Sequence, residues 1–391
     1  MKIIILLFFV LVNYCIADNK IVLEETNDVI LTNGISSFEI NKSETSFLIV
    51  DGSEEKVIQY DIGSGKIRDK FFISIDYTDS LAFSDKKYYF DGHHNWRYVS
   101  KKEYMGTFVV DEETYSKGIN NQIYSAFYNE DKIYINTAIR IDVVTLDKSK
   151  RMLGGSVCGI ISDSNLKNLS FISFENNKFA YGRKFLDFHK GKYYLLTTDM
   201  IKFRHSLDSL RVLTIYDENG FYEKNKLYLP EFYTEKKIGY NLPFKPIFTF
   251  NLSDELIYTF PYHEEIYNDK NNKVLKIQKL KYSNKDKYNE IDKYINNDFK
   301  DFDYSNYFYN YVMKMKFIDN KLYLILRSVN KDKEKIFLQQ TYNLETNKLE
   351  SNYNIPNPNL FRAGAFNSDC SQLYLIYFDN ENYYLTKTKI Q

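Results

Sequence analysis

Hydrophobic residues along this chain gather into short runs of three to five, each introduced by a polar turn. The clearest reads DNKLYLIL, residues 319–326, and the phrase returns in SETSFLIV, SDKKYYF, EDKIYI, KGKYYLL, SDELIY and CSQLYLIY. The seven copies centre on Leu48, Tyr89, Tyr134, Tyr194, Tyr258, Tyr323 and Tyr374. A strand exposed on one side alternates apolar and polar residues, whereas a strand covered on both faces is apolar at consecutive positions, as here. Turn pairs such as Lys190-Gly191 and Asp319-Asn320 reverse the chain from a preceding strand, FLDFH or MKMKFI.

A second phrase usually follows, in VIQYDIGSGKI, DVVTLDKSKRML, LTIYDENGFYE and QQTYNLETNKLE. Each reads as a strand ending at Asp, Asn or Lys, a turn, and a strand leaving it. One unit is therefore four antiparallel strands, the blade of a β-propeller. The intervals between copies, 41, 45, 60, 64, 65 and 51 residues, suit such units with longer loops where they stretch. The stretch from Asp18 to Leu48 and the stretch after Tyr374 together make 48 residues, one further interval. The expected fold is all-β: a propeller of seven blades, closed by pairing of N- and C-terminal strands. Six is the alternative if the first copy is only an edge. Eight follows if FISFENNKFAYG, within 161–181, belongs to an extra unit.

One segment has a different period. In residues 284–304, Tyr288, Ile291, Ile295, Phe299 and Phe302 recur at three- and four-residue spacing, which predicts an inserted helix with Asn284 near its start.

YDIGSGKI at 60–67 and DNKLYL at 319–324 resemble the blade grammar of exported bacterial β-propellers, among them NHL-like and six-bladed surface lipoproteins. The likeness covers most of the chain after residue 38. It implies a ligand or partner site on the face of the ring near its central channel, and no residue-level function.

The N-terminus adds a location. Lys2, the apolar run IIILLFFVLV and the small residues of CIA at 15–17 compose a signal peptide, residues 1–17, leaving 18–391 as a single propeller domain. The expected product is secreted, extracellular or periplasmic. The alternative is a membrane-anchored lipoprotein attached through Cys15, although Tyr14 is bulky where a lipidation signal has a small residue. No later segment offers the ~18–20 apolar residues of a transmembrane span. Cys158 and Cys370 then remain, expected as two separate buried thiols.

Composition narrows the partners. Lys+Arg and Asp+Glu are equal at 52 each, so no polyanion, and no nucleic acid, is implied. The aromatic load of 36 Tyr and 30 Phe favours strands. The candidate ligand-binding group is DGHHNWR, where His93, His94, Trp96 and Arg97 could present a flat aromatic face and anion-binding groups. His189, His205 and His263 are isolated, and no zinc spacing, phosphate loop or Gly-x-Ser-x-Gly elbow occurs, so no metal, cofactor or catalytic residue is assigned. Asn41, Asn168 and Asn251 stand in Asn-x-Ser sequons. The sequence thus points to a binding or scaffold protein recognising a protein or glycan. A hydrolase or lyase built in the channel is the alternative.

Overall fold

The computed structural model describes residues 20–26, 31, 34–51, 56–72, 87–90, 96–99, 119–144, 150–167, 170–172, 181–198, 211–229, 246–270, 272–287 and 307–390. Strand β1 is short, Ile21–Val22. Blade I follows as β2 (Ile35–Ile40), β3 (Ser46–Asp51), β4 (Lys56–Asp61) and β5 (Ile67–Phe72). A hairpin of β6 (Lys87–Phe90) and β7 (Trp96–Val99) comes next. Blade II is β8 (Ile119–Asn129), β9 (Lys132–Val144), β10 (Lys150–Asp163) and β11 (Ser170–Ile172). Blade III is β12 (Tyr181–His189), β13 (Lys192–Thr198), β14 (Arg211–Tyr216) and β15 (Tyr222–Tyr228). Blade IV is β16 (Ile247–Phe250), β17 (Leu256–Thr259), β18 (Glu265–Asn268) and β19 (Lys273–Lys276). Blade V is β20 (Tyr311–Ile318), β21 (Lys321–Val329), β22 (Lys335–Asn343) and β23 (Lys348–Ile355). Blade VI is β24 (Phe361–Phe366), β25 (Gln372–Phe378) and β26 (Tyr383–Lys389), completed by β1.

The chain is therefore a six-bladed β-propeller of four-stranded antiparallel meanders, not a seven-bladed one. Six copies of the repeated phrase are the second strands β3, β9, β13, β17, β21 and β25. The seventh, around Tyr89, lies in β6, which among the described residues pairs with β7 alone. Two strands cannot cover both neighbouring blades, so the phrase forms a hairpin in the connection between blades I and II. Leu48, where an edge was the anticipated route to six, sits in a complete sheet. FISFENNKFAYG adds no unit either: its start is β11, the outer strand of blade II, and its end enters β12. Residues 285–287 are helical where the inserted helix is expected to begin, and 288–304 lie outside the described residues.

The continuous apolar runs have a direct cause. Successive side chains of a strand point to opposite faces, and here each face meets a different neighbour. In β3, Phe47 and Ile49 pack against Ala365, Tyr374 and Ile376 of blade VI. Leu48 and Val50 point the other way, into Ile123, Ile133 and Ile135 of blade II. Six hydrophobic clusters fill the six interfaces between adjacent blades in this manner.

Closure joins the two termini. Ile21 pairs with Leu385 and Val22 with Tyr384, antiparallel. Gly65 makes room for this strand: it has φ +70°, and a Cβ there would stand 2.2 Å from the Val22 carbonyl oxygen. Any side chain at Gly65 would both strain the turn and push β1 off the ring. Glu44 adds a second link across the seam, accepting from the Tyr374 hydroxyl at 2.6 Å and from Asn367 Nδ2 at 2.8 Å.

The two rims of the ring differ. Connections from first to second and from third to fourth strands are two to six residues long. Lys190-Gly191 and Asp319-Asn320 both have positive φ, the geometry of a tight two-residue hairpin. The longer turns reuse one device: Asn41 and Asn251 accept through Oδ1 from the backbone N–H four residues on, while the residue three on, Glu44 or Asp254, adopts a left-handed φ. Asp163, Asp217 and Asn330 build the same turn. The long connections, 199–210 and the inter-blade segments between β5 and β8, β15 and β16, and β19 and β20, all leave from the opposite rim.

Candidate functional site

The first strands β2, β8, β12, β16, β20 and β24 are the innermost and surround a channel cavity of about 580 Å³. In five of them the pairing to the second strand slips by one residue, at Ser36, Tyr124, Leu186, Met313 and Arg362. Such bulges bend a strand and re-aim its side chains. Below each bulge, one residue per blade stands opposite the centre of the repeated phrase: Glu39, Phe127, Asp187, Phe248, Lys316 and Ala365. Five of them occupy equivalent positions, two pairs in from the first-to-second turn, and form one rung of the ring. Phe248 lies one pair further on, the blade IV equivalent being Thr249 opposite Ile257. Of the six, all but Ala365 line the cavity.

The charges of the channel are held differently. Lys314 Nζ donates to Glu39 Oε1 at 2.6 Å and to the Phe38 carbonyl at 2.9 Å, joining blade V to blade I. Lys316 Nζ donates to the Asn367 carbonyl at 2.7 Å, and burial lowers its pKa. Asp187 receives one hydrogen bond, from its neighbour Phe188 N–H to Oδ1 at 2.8 Å. Enclosure by protein pushes the Asp187 carboxyl up to about 7, the Phe188 N–H opposes the shift and the Glu39 charge adds to it. Among the described residues no lysine or arginine pairs with Asp187.

A second polar centre lies outside the channel, at the base of the connection between blades IV and V. Glu264 Oε1 accepts from Asn284 N–H at 2.6 Å and from Asn310 Nδ2 at 2.7 Å, and Oε2 accepts from the Ser283 hydroxyl at 2.8 Å. Asn284 and Asn310 hold each other: Asn310 N–H donates to Asn284 Oδ1 at 2.9 Å and Asn284 Nδ2 to the Asn310 carbonyl at 2.7 Å. Asn284 thus clasps the two ends of the insertion, while Ser283 Oγ accepts from Lys285 N–H at the helix start. Nearby, His263 is buried with Nε2 2.8 Å from the Tyr267 hydroxyl, which donates to Glu265 Oε2 at 2.8 Å. Desolvation lowers the His263 pKa to about 4, against the pull of Glu265. Glu264 and Glu265 are therefore bound into networks.

Of the sequence-predicted recognition group, two residues lie on a described strand. Trp96 and Arg97 lie on β7, opposite Phe90 and Tyr89 of β6, and His93 and His94 lie outside the described residues. The expected signal peptide with Cys15, and His205 and Asn168, also lie outside them. His189 sits at the end of β12, stacked 3.8 Å from Phe250 with Nε2 3.1 Å from Asp254 Oδ1. Cys370 is a free, buried thiol in a left-handed turn position, its pKa pushed up to about 12 by burial. Among the described residues no three His, Cys, Asp or Glu side chains gather as metal ligands. Asp187 was missed because FLDFH reads simply as a strand, and Glu39 because SFEI carries no motif. Their signal was a lone charge inside an apolar run directly before the repeated turn.

No protein-family model matches the chain, and no curated protein sequence matches it. Solved structures with similar folds include a Bacteroides fragilis protein named for its inferred export, 12% identical over 96% of this chain and 95% of that one, TM-score 0.45. Regucalcin from Agrobacterium tumefaciens, a calcium-binding protein, is 8% identical over 94% and 93% of the two chains, TM-score 0.43. A luciferin-regenerating enzyme is 8% identical over 95% and 96%, TM-score 0.42. The fold assignment rests on this chain's own strand order, and no activity is carried over from these proteins. Among the described residues no helix is long and apolar enough to cross a membrane.

Proposed function

We propose that this propeller is an exported binding protein that recognises a protein or glycan through the rim carrying its long connections. The observation behind this reading is the asymmetry of the ring: turns of two to six residues define one rim, and every longer connection leaves from the other. Long loops on a rigid frame are the usual place for recognition surfaces. The signal peptide, residues 1–17, supports export, with the anchor at Cys15 as the alternative. The hydrolase or lyase alternative would place a reaction in the channel, where the rung supplies two carboxylates, Glu39 and Asp187, of which Glu39 is already engaged by Lys314.

Cross-linking mass spectrometry tests the assignment of the rim. With a partner captured from the organism's surface material, amine cross-links should fall on Lys281, Lys285, Lys331 and Lys333, beside the long connections. Cross-links confined to Lys42 and Lys190, in the tight turns, would overturn it.

A further inference from the structure

We infer that the channel holds a seat for a small organic ammonium, formed by the Asp187 carboxylate together with the rings of Phe127 and Phe248 that line the same cavity. The three residues come from adjacent blades II, III and IV. Phe127 and Asp187 occupy equivalent rung positions, and Phe248 lies 5.8 Å, ring to ring, from Tyr194, the cross-strand partner of Asp187. Asp187 meets a single N–H donor and, among the described residues, no cation. Of the lysines lining the cavity, Lys314 is engaged with Glu39 and Lys316 with the Asn367 carbonyl, and Lys42 stands exposed in the first turn of blade I.

Keeping a carboxylate in such a place is unfavourable for folding unless a cation arrives. An aliphatic or asparagine side chain would fill the same volume without that cost. Phenyl faces attract a cation through their quadrupole, most strongly where water is excluded, so these rings suit an ammonium better than a neutral molecule. The cavity of about 580 Å³ has room for a ligand the size of an arylalkylamine. Glu39 lies on the same rung and adds negative field at Asp187. This seat is separate from the partner-binding rim proposed above, and its test reads a different ligand.

Benzylamine is a suitable probe, with benzyl alcohol as its neutral counterpart and calcium chloride as the metal control, measured by calorimetry on the mature chain. At pH 8 benzylamine should bind at least ten-fold more tightly than benzyl alcohol, and Asp187→Asn should remove the difference. In the unmutated protein, benzylamine affinity should fall about thirty-fold between pH 8 and pH 5.5 as Asp187 takes up its proton. Among the described residues the other charged or titratable groups facing this region are Glu39, Lys42, Tyr128, Glu130, Lys314, Lys316, Arg362 and Tyr194. Glu39→Gln should therefore preserve most of the pH response. Equal binding of amine and alcohol, absence of amine binding, amine binding retained by Asp187→Asn, or calcium binding that Asp187→Asn abolishes would each overturn the assignment.

Discussion

Two polar centres are enclosed by this protein, and they are treated in opposite ways. At the clasp, Glu264 accepts three hydrogen bonds and the Asn284 and Asn310 side chains are each engaged as donor and acceptor. In the channel, Asp187 accepts one bond from its own strand and meets no cation among the described residues. Buried polar groups that serve only the fold are normally satisfied, because each unmade hydrogen bond costs about 1–3 kcal/mol. The clasp follows that rule and stabilises the base of an insertion. The channel acid departs from it, which is the mark of a group positioned for something outside the chain.

The comparison can be broken experimentally. The largest effect belongs to Glu264→Ala, which leaves Asn284 N–H and one of the two Asn310 Nδ2 donor bonds without an acceptor. Chemical denaturation should show a loss of about 4 kcal/mol. A loss below about 1 kcal/mol would mean that the clasp does not anchor the insertion.

Asp187→Asn should act with the opposite sign. A carboxyl whose folded pKa of about 7 exceeds its ordinary 3.8 binds more protons folded than unfolded between those values. Stability therefore declines as pH rises from about 4 to about 7 and is level above that. The substitution should raise stability by about 3 kcal/mol at pH 8 and leave it nearly unchanged at pH 4. Destabilisation at pH 8 would show the carboxylate to be structural.

His263 provides the reverse limb. Its folded pKa of about 4 lies below the ordinary 6.5, so the unfolded chain binds more protons between those values and stability is lost as pH falls from 6.5 to 4. His263→Gln should flatten that limb by about 2 kcal/mol, read from denaturation midpoints across the range. An unchanged acid limb would remove His263 from the account. The smallest effect is expected at Ser328→Ala, which removes one donor to Asn310 Oδ1 at the clasp, for about 1 kcal/mol.

Much of the architecture was legible in the chain. The phrase around Leu48, Tyr134, Tyr194, Tyr258, Tyr323 and Tyr374 marks second strands because those strands lie inside a blade and are covered on both faces along their apolar run. The same phrase at Tyr89 misled, since local pattern does not reveal whether a hairpin finds third and fourth partners. DVVTLDKSKRML also reads as a third-to-fourth turn, yet it joins the second and third strands β9 and β10. The site was scarcely legible. Glu39, Asp187 and Lys316 are hundreds of residues apart at their widest and share a rung only because the ring closes. The helix start at Lys285 was foreseen, but Asn284 holds Asn310 across the insertion, a pairing that no local capping rule contains.

The seam between Ile21–Val22 and β26 sets a timetable for folding. A chain made from its N-terminus carries this strand without its mate until Tyr384 and Leu385 have been synthesised. Contacts that bridge such a sequence separation form late, because they close the longest loop in the molecule. Until then the blade I face bearing Phe47 and Tyr60 has nothing from blade VI against it. A newly made chain thus passes through an open-ring stage with an apolar flank bare, the stage at which a holdase would have most to protect.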